Sequence, residues 1–215
     1  MDFILSIFNF ILHIDIHLGE IISQYGTLAY LILFGIIFAE TGFVFTPFLP
    51  GDSLLFAAGA FAALGHFEII WLLLLLWLAA FSGDTVNYWI GHFFGQKIID
   101  NPRLPIKQEH IDKTKAFYQK YGGKTIFLAR FVPIVRTFAP FVAGIGKMHY
   151  RQFITYNLTG GFTWVAGFTG LGYFFGNLPQ IKDNFSLVVL VIIFLSLLPM
   201  LIEFLKARSA VRPSR

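Results

Sequence analysis

Long runs of hydrophobic residues, separated by short polar stretches, dominate this chain. Residues 69–95, 153–175 and 185–205 are each long enough to cross a bilayer as a helix, which takes about 20 residues. Two further apolar stretches, residues 28–64 and 125–147, are interrupted by prolines and charged residues. The pattern predicts three spanning helices and two segments that enter the membrane and return.

The two interrupted stretches carry ionisable residues of opposite sign. ETGFVFTPFLPGD (40–52) contains Glu40 and Asp52, whereas ARFVPIVRTFAPFVAG (129–144) contains Arg130 and Arg136. An ionised side chain at the bilayer centre costs roughly 2.5 to 3.5 kcal/mol, so these groups must meet each other, water or a substrate. Prolines and glycines in both stretches are predicted to form the hinges of an interior cavity: Pro47, Pro50, Gly51, Pro133, Pro140 and Gly144.

Composition agrees with a membrane protein. The chain is 56% hydrophobic and 13% charged, with a mean hydropathy of +0.70, whereas about a quarter of the residues of a soluble domain are charged. We therefore expect one integral membrane domain over residues 1–215. Cysteine is absent and the histidines show no ligand spacing, so we expect no disulfide, metal or cofactor.

The positive charges are confined to the second half of the chain. All 16 Lys and Arg lie at or beyond Lys97, and they concentrate in a central loop, 97–124, and in the C-terminal tail. The positive-inside rule places both in the cytoplasm. Acidic residues interrupt the loop and no base-reading motif accompanies it, which disfavours nucleic-acid binding.

This orientation makes the two halves of the chain inverted relative to each other. Residues 28–64 would enter from outside and 125–147 from the cytoplasm, each as a re-entrant helical hairpin followed by a spanning helix. The predicted fold is thus an all-α inverted repeat with half-repeats 28–95 and 125–205, an arrangement suited to alternating access. Residues 3–22, interrupted by polar groups, are predicted to lie at the membrane interface.

Each charged residue also has a simpler interpretation. Glu40 could be a helix-end residue paired with a nearby donor, and Asp52 suits an N-cap or first-turn acid of a helix starting near Leu54. Arg130 and Arg136 could be cations extending to the cytoplasmic face. In combination, a shielded carboxylate near a guanidinium can exchange protons, and arginine recognises phosphate through several donors while staying charged. We expect both arginines to precede the bend and to face one cavity.

A second group of polar residues lies in the first spanning helix. Asp84 needs a partner within the membrane, and an arginine of the second hairpin could supply it. Asn87 and Tyr88 are secondary site residues, although packing is the default interpretation for this glycine-bearing helix. Asn157, Gly160, Gly161 and Trp164 could serve the same packing purpose in the second half.

Several separated motifs resemble those of the bacterial DedA membrane proteins: ETGFVFTPFLPGDSLLF, GDTVNYWIGHFFG, ARFVPIVRTFAPFVAG and MHYRQF, in this order. The resemblance implies an inner-membrane protein with two opposed re-entrant hairpins, related to VTT-domain lipid scramblases. It further implies movement of undecaprenyl phosphate or phospholipids that depends on the proton motive force. The family's essential acids fall on Glu40 and Asp52, and its essential arginines on Arg130 and Arg136.

These observations lead to the hypothesis of a proton-coupled lipid flippase rather than an enzyme. Arg130 and Arg136 would hold the phosphate, while Glu40 and Asp52 would carry protons. The alternative is a proton-coupled antiporter for small ions or cationic drugs that supports membrane potential and pH homeostasis. The expected partners are a membrane lipid and protons, and homo-oligomerisation is left open.

Overall fold

The computed structural model describes residues 24–43, 51–99 and 108–179, and this part of the chain is almost entirely helical, without a strand. The prediction of an all-α protein is confirmed for these residues. The predicted interfacial segment 3–22, the spanning helix 185–205 and the basic tail lie outside the described residues, as do Pro47 and Pro50.

Seven α-helices are distinguished here within the described residues. They are α1 (Thr27–Gly42), α2 (Gly51–Ala63), α3 (Ile69–Ile99), α4 (Gln108–Tyr121), α5 (Thr125–Ala129), α6 (Pro133–Ile145) and α7 (Tyr150–Gly176). A 3-10 turn, Gly122–Lys124, joins α4 to α5. Of the described helices, only α3 is both long and apolar enough to cross a membrane, over Ile69–Gly95. Helix α7 has comparable length, 27 residues, but more threonine and glycine.

The basic segment predicted as a loop contains a helix. In α4, the buried side of the helix places Ile111 and Tyr118 against Phe138 and Phe141 of α6. The Tyr118 hydroxyl donates to the Ala139 carbonyl at 3.0 Å. Burial, and secondarily the charge of Asp84, raises the pKa of Tyr118 well above its usual range, so this hydroxyl stays neutral. The polar exposed face of α4 concealed the helix in the apolar pattern.

The second interrupted stretch bends at a different place from the one predicted. Helix α5 ends at Ala129 and α6 begins at Pro133, where proline suits the first helical turn. Helix α6 then continues through Pro140, so the expectation that Pro140 breaks the stretch is wrong. Because proline has no N–H, the Arg136 carbonyl lacks its usual intrahelical donor. The bend lies between Arg130 and Arg136, so the expectation that both arginines precede it is also wrong.

Helices α2 and α6 end in the same way. After α2, Gly65 has φ +86°, and the His66 N–H donates to the Phe61 carbonyl at 3.1 Å. After α6, Lys147 has φ 50°, and the Met148 N–H donates to the Ala143 carbonyl at 3.0 Å. Both are Schellman caps, with the left-handed residue just past the helix. Each cap leads within a few residues into a long helix, α3 or α7.

The chain divides into two compact units. The first contains the described residues 24–29, 52–69 and 168–179, and the second contains 30–43, 51, 70–99 and 108–167.

In the second unit, α3 and α6 touch through glycines. A Cβ on Gly91 or Gly95 would collide with Phe141 or Ile145 of α6, and a Cβ on Gly144 would collide with the backbone of α3. Small residues spaced four apart allow such backbone contact between membrane helices.

The first unit repeats this contact between α2 and α7. Gly172 and Gly176 lie against the backbone of Phe56 and Ala60, and Gly59 lies against the Thr169 carbonyl. The α7 glycines are 81 residues after their α3 counterparts, and Gly144 is 85 residues after Gly59. Each unit thus contains one closely packed helix pair, α3–α6 in the second and α2–α7 in the first, and three glycines at corresponding positions make the contact in each pair.

Candidate functional site

Four ionisable side chains are buried together in the second unit. Glu40, Asp84, Arg130 and Arg136 are exposed by only 2%, 4%, 3% and 8%, respectively. At these values neither guanidinium reaches the surface, so the interpretation of the arginines as cations extending to the cytoplasmic face is wrong. Helices α1, α3 and α6, and the short segment after α5, each supply one of the four groups.

Arg136 pairs with Glu40. Its Nη2 donates to Glu40 Oε1 at 2.5 Å, joining the first turn of α6 to the last turn of α1. A Cβ on Gly51 would overlap the Glu40 carboxylate. The Glu40 carboxylate occupies the space that a side chain at position 51 would fill, so glycine is required there for a steric reason.

Arg130 pairs with Asp84, and Asn157 binds the same nitrogen. Arg130 Nη2 donates to Asp84 Oδ2 and also to Asn157 Oδ1, the latter at 2.5 Å. The Asn157 amide is oriented by its own donation to the Phe81 carbonyl at 3.0 Å. The Nε and Nη1 atoms of Arg130 are buried without a hydrogen-bond acceptor among the described residues. Two donor nitrogens of a buried cation are thus available to another acceptor.

One indole ring lies beside both arginines. The guanidinium carbons of Arg130 and Arg136 are 5.8 and 4.9 Å from the ring centroid of Trp164, which is fully buried in α7. Gly160 and Gly161 on the same helix lie against the Arg130 side chain. The aromatic face attracts both cations and so stabilises two like charges in one neighbourhood.

Asn87 and Tyr88 connect the elements around the charges. The Asn87 amide donates to the carbonyls of Thr41 and Thr137 at 3.0 and 2.9 Å, which ties α1 and α6 to α3. The Tyr88 hydroxyl donates to the Met148 carbonyl at 2.5 Å, and its ring stacks on Phe153 at 4.5 Å. In this structure both residues make packing and hydrogen-bond contacts between elements.

The structure brings Glu40, Arg130 and Arg136 into one cluster. Arg136 pairs with Glu40, and both guanidinium groups lie beside Trp164. Asp52 is half-buried in the first turn of α2. Asp52 is thus the first-turn acid that the sequence suggested. Pro133 begins α6, and Gly144 packs against α3.

Two contact residues of the arginines were predicted only as packing positions. Asn157 and Trp164 are seven residues apart on α7, with Gly160 and Gly161 between them, so all four share one helix face. A polar amide and an indole on a glycine-bearing face of a membrane helix are the signal that could have identified them.

The comparisons with known proteins show the family of this chain. Residues 49–174, more than half of the chain, match the VTT domain. The chain is 53% identical to Protein DedA of Escherichia coli (strain K12) over 98% of its own length and 97% of that protein. It is 42% identical to an uncharacterized membrane protein of Mycobacterium leprae, over 78% of this chain and 75% of the relative.

The chain is also similar to a more distant relative. The chain is 34% identical to Inner membrane protein YqjA of Escherichia coli (strain K12), over 73% of this chain and 71% of the relative. No solved structure matches it. The chain is a membrane protein, and it belongs to the DedA family of VTT-domain proteins.

Proposed function

We propose that this protein is a proton-coupled translocase that moves a phosphate-bearing lipid, undecaprenyl phosphate or a phospholipid, between bilayer leaflets. It acts as a transporter and not as an enzyme. Arg130 and Arg136 bind the anionic headgroup, and buried carboxylates exchange the coupling protons. Glu40 is the acid paired with Arg136, and Asp84 is the acid paired with Arg130. Asp52, at the start of α2, is a third carboxylate that exchanges protons.

The available donors of Arg130 are the observation that carries the proposal. Its guanidinium is held by Asp84 and Asn157 through one nitrogen, which leaves Nε and Nη1 available to donate hydrogen bonds to a ligand's oxygens. Guanidinium and phosphate form charge-assisted hydrogen bonds, and these are stronger in a dry interior. A phosphate oxygen placed there would bind a preoriented donor group.

Charge balance supports proton coupling. The cluster combines two guanidinium groups with two carboxylates, so its ionised form carries no net charge. An incoming phosphate would add uncompensated negative charge in the membrane interior, which is costly. Protonation of Glu40 or Asp84 removes one negative charge and frees an arginine for the anion. Anion entry and proton uptake are therefore favourable together and unfavourable separately.

The repeated helix pair supports the proposed topology. We propose that α1–α2 and α5–α6 form opposed re-entrant hairpins in a multi-pass inner-membrane protein whose basic tail is cytoplasmic. The matching Schellman caps and glycine contacts in the two units are what an internal repeat would produce. The positive-inside distribution of Lys and Arg supports the orientation.

The alternative, a proton-coupled antiporter for small ions or cationic drugs, would use the same carboxylates. A cation at this site would lie near two guanidinium groups, and like charges at short range repel strongly in a low-dielectric interior. The cluster therefore favours an anionic ligand. A phosphate-dependent binding measurement separates the two hypotheses.

The test compares a short-chain polyprenyl phosphate with its unphosphorylated alcohol. Binding to the purified protein is measured for the wild type, Arg130→Lys and Arg136→Lys, with the exposed Arg151→Lys as control. Lysine keeps the charge but loses the planar set of donors, so phosphate affinity is expected to fall about tenfold or more at the buried positions. Binding of the alcohol should not change.

Two outcomes would overturn the assignment. The first is equal affinity of the wild type for phosphate and alcohol. The second is a pair of buried lysine variants that bind phosphate as well as Arg151→Lys does. Folded fraction is measured for every variant, so that a loss of binding is compared only among folded proteins.

A further inference from the structure

An apolar groove of about 530 Å³ lies between α3 and α7 in the second unit. Helix α3 contributes Leu74 and Trp77 to its wall. Helix α7 contributes Leu158, Thr159, Phe162 and Thr163. Leu74 and Phe162 are exposed by 47% and 56%, so the groove is open along the side of the helix pair.

The polar groups along this groove are already satisfied. The Thr159 and Thr163 hydroxyls each donate to the carbonyl four residues earlier, at 2.9 Å. The Trp77 N–H donates to the Leu158 carbonyl at 3.0 Å. These residues therefore present methyl groups and a ring face to a ligand, which suits hydrocarbon and offers little to a polar solute.

The groove adjoins the arginine site through a single glycine. A Cβ on Gly161 would lie 3.4 Å from Trp77 Cδ1 and 3.2 Å from Arg130 Nη2. The indole wall of the groove and the buried guanidinium thus both border the Gly161 backbone, and Arg130 Nε, one of the available donors, lies 3.3 Å from where a Cβ on the neighbouring Gly160 would be. A molecule with an anionic head and an apolar tail could occupy the guanidinium site and the groove together.

We propose that this groove binds the hydrocarbon chain of the lipid whose phosphate binds Arg130. The inference rests on the proposed function and adds to it a chain-binding site on α3 and α7. The groove is an apolar wall whose polar groups are already hydrogen-bonded, and it adjoins a cation that has available donors. This combination identifies the occupant as an anionic lipid. The Trp77 and Phe162 rings, 5.9 Å apart and edge to face, form the aromatic part of the wall.

The groove should act on chain selectivity and not on headgroup affinity. Within a bilayer, hydrocarbon gains no hydrophobic energy by leaving the lipid, so packing against the rings must supply the preference. Removing one aromatic wall removes tens of weak atom contacts, and the expected loss of preference for a long chain is roughly threefold or more.

The test is a matched pair of truncations. Phe162→Ala removes a ring of the groove, and Phe93→Ala removes a ring of similar exposure, 65%, on α3 outside it. Binding of farnesyl phosphate, dimethylallyl phosphate and inorganic phosphate is measured in nanodiscs. The ratio of farnesyl to dimethylallyl affinity should fall in Phe162→Ala and stay unchanged in Phe93→Ala. Affinity for inorganic phosphate should be equal in both variants.

A second measurement keeps the test valid if Phe162→Ala folds poorly. A polyprenyl phosphate with a diazirine on its chain is photo-crosslinked to the wild type, and the modified peptides are mapped. Label should concentrate in residues 73–77 and 158–163. Equal labelling of the Phe93 region, or an unchanged affinity ratio in folded Phe162→Ala, would overturn the groove assignment. Phosphate binding that is insensitive to Arg130→Lys would instead overturn the proposed headgroup site.

Discussion

The buried pair Arg130–Asp84 gives the most specific energetic prediction. In Asp84→Asn, the Arg130 cation keeps Asn157 as an acceptor but loses its counter-charge while remaining only 3% exposed. Removing one partner of a buried ion pair typically costs about 3 to 5 kcal/mol, because the remaining charge is left uncompensated. We therefore expect Asp84→Asn and Arg130→Gln each to lower the free energy of unfolding by about that amount.

The double variant distinguishes pairing from two independent defects. Asp84→Asn combined with Arg130→Gln leaves no unpaired charge at this position, so its loss should be smaller than the sum of the two single losses by about 2 kcal/mol or more. Unfolding is followed by tryptophan fluorescence in mixed detergent micelles. The control Glu109→Gln, at an exposed acid in the first turn of α4, should change stability by less than about 1 kcal/mol.

Additive losses in this cycle would refute the pairing. So would a stability of Asp84→Asn equal to that of Glu109→Gln, because a buried cation without its counter-charge cannot be neutral in energy at this depth. In either case Arg130 would have to be compensated by groups other than Asp84.

Three further predictions concern the ring, the helix contacts and the topology. Trp164→Leu should weaken phosphate binding about fivefold or more, because each cation–π contact contributes roughly 0.5 to 2 kcal/mol. Trp164→Phe should retain part of the affinity. Titration of the folded proteins with inorganic phosphate measures both effects. Gly144→Ala should destabilise by about 1 to 3 kcal/mol because its Cβ meets the α3 backbone. Its control in the same unfolding assay is Gly35→Ala, where no atom lies within 4 Å. Cysteine introduced at Glu68 should label from outside the cell and cysteine at Lys113 only after permeabilisation; the reverse pattern would invert the proposed orientation.

The apolar pattern predicted the long helices well because burial in lipid imposes a simple length and composition. The stretch 69–95 was predicted to span and forms α3, Ile69–Ile99, while 153–175 forms most of α7, Tyr150–Gly176. Gly91 and Gly95 of α3 were assigned to close packing, and they lie against α6, Gly91 at the Phe141 backbone and Gly95 at the Ile145 side chain. These features depend on local sequence, which a single chain displays directly.

The site was only partly predictable because pairing is decided by tertiary contacts. The sequence identified Glu40 and Arg130 as buried charges but could not choose the partner of each arginine. The structure pairs Arg130 with Asp84 and Arg136 with Glu40. Trp164 was missed as a contact of both cations: its helix face, shared with Asn157 and two glycines, indicates a contact surface, but the sequence does not show which residues lie against that surface. The bend before Pro133 also depends on packing, because Pro140 remains inside α6.

The buried arginine site is proposed to move an anionic lipid at the expense of a proton gradient. The decisive measurement is leaflet-to-leaflet movement of a headgroup-labelled undecaprenyl phosphate in proteoliposomes of defined lipid with an imposed pH gradient. Lipid movement is expected to be faster with the gradient, lost in Arg130→Lys and Glu40→Gln, and retained in Arg151→Lys. Movement no faster than in protein-free vesicles, or gradient-driven flux of small ions without any lipid movement, would contradict this proposal.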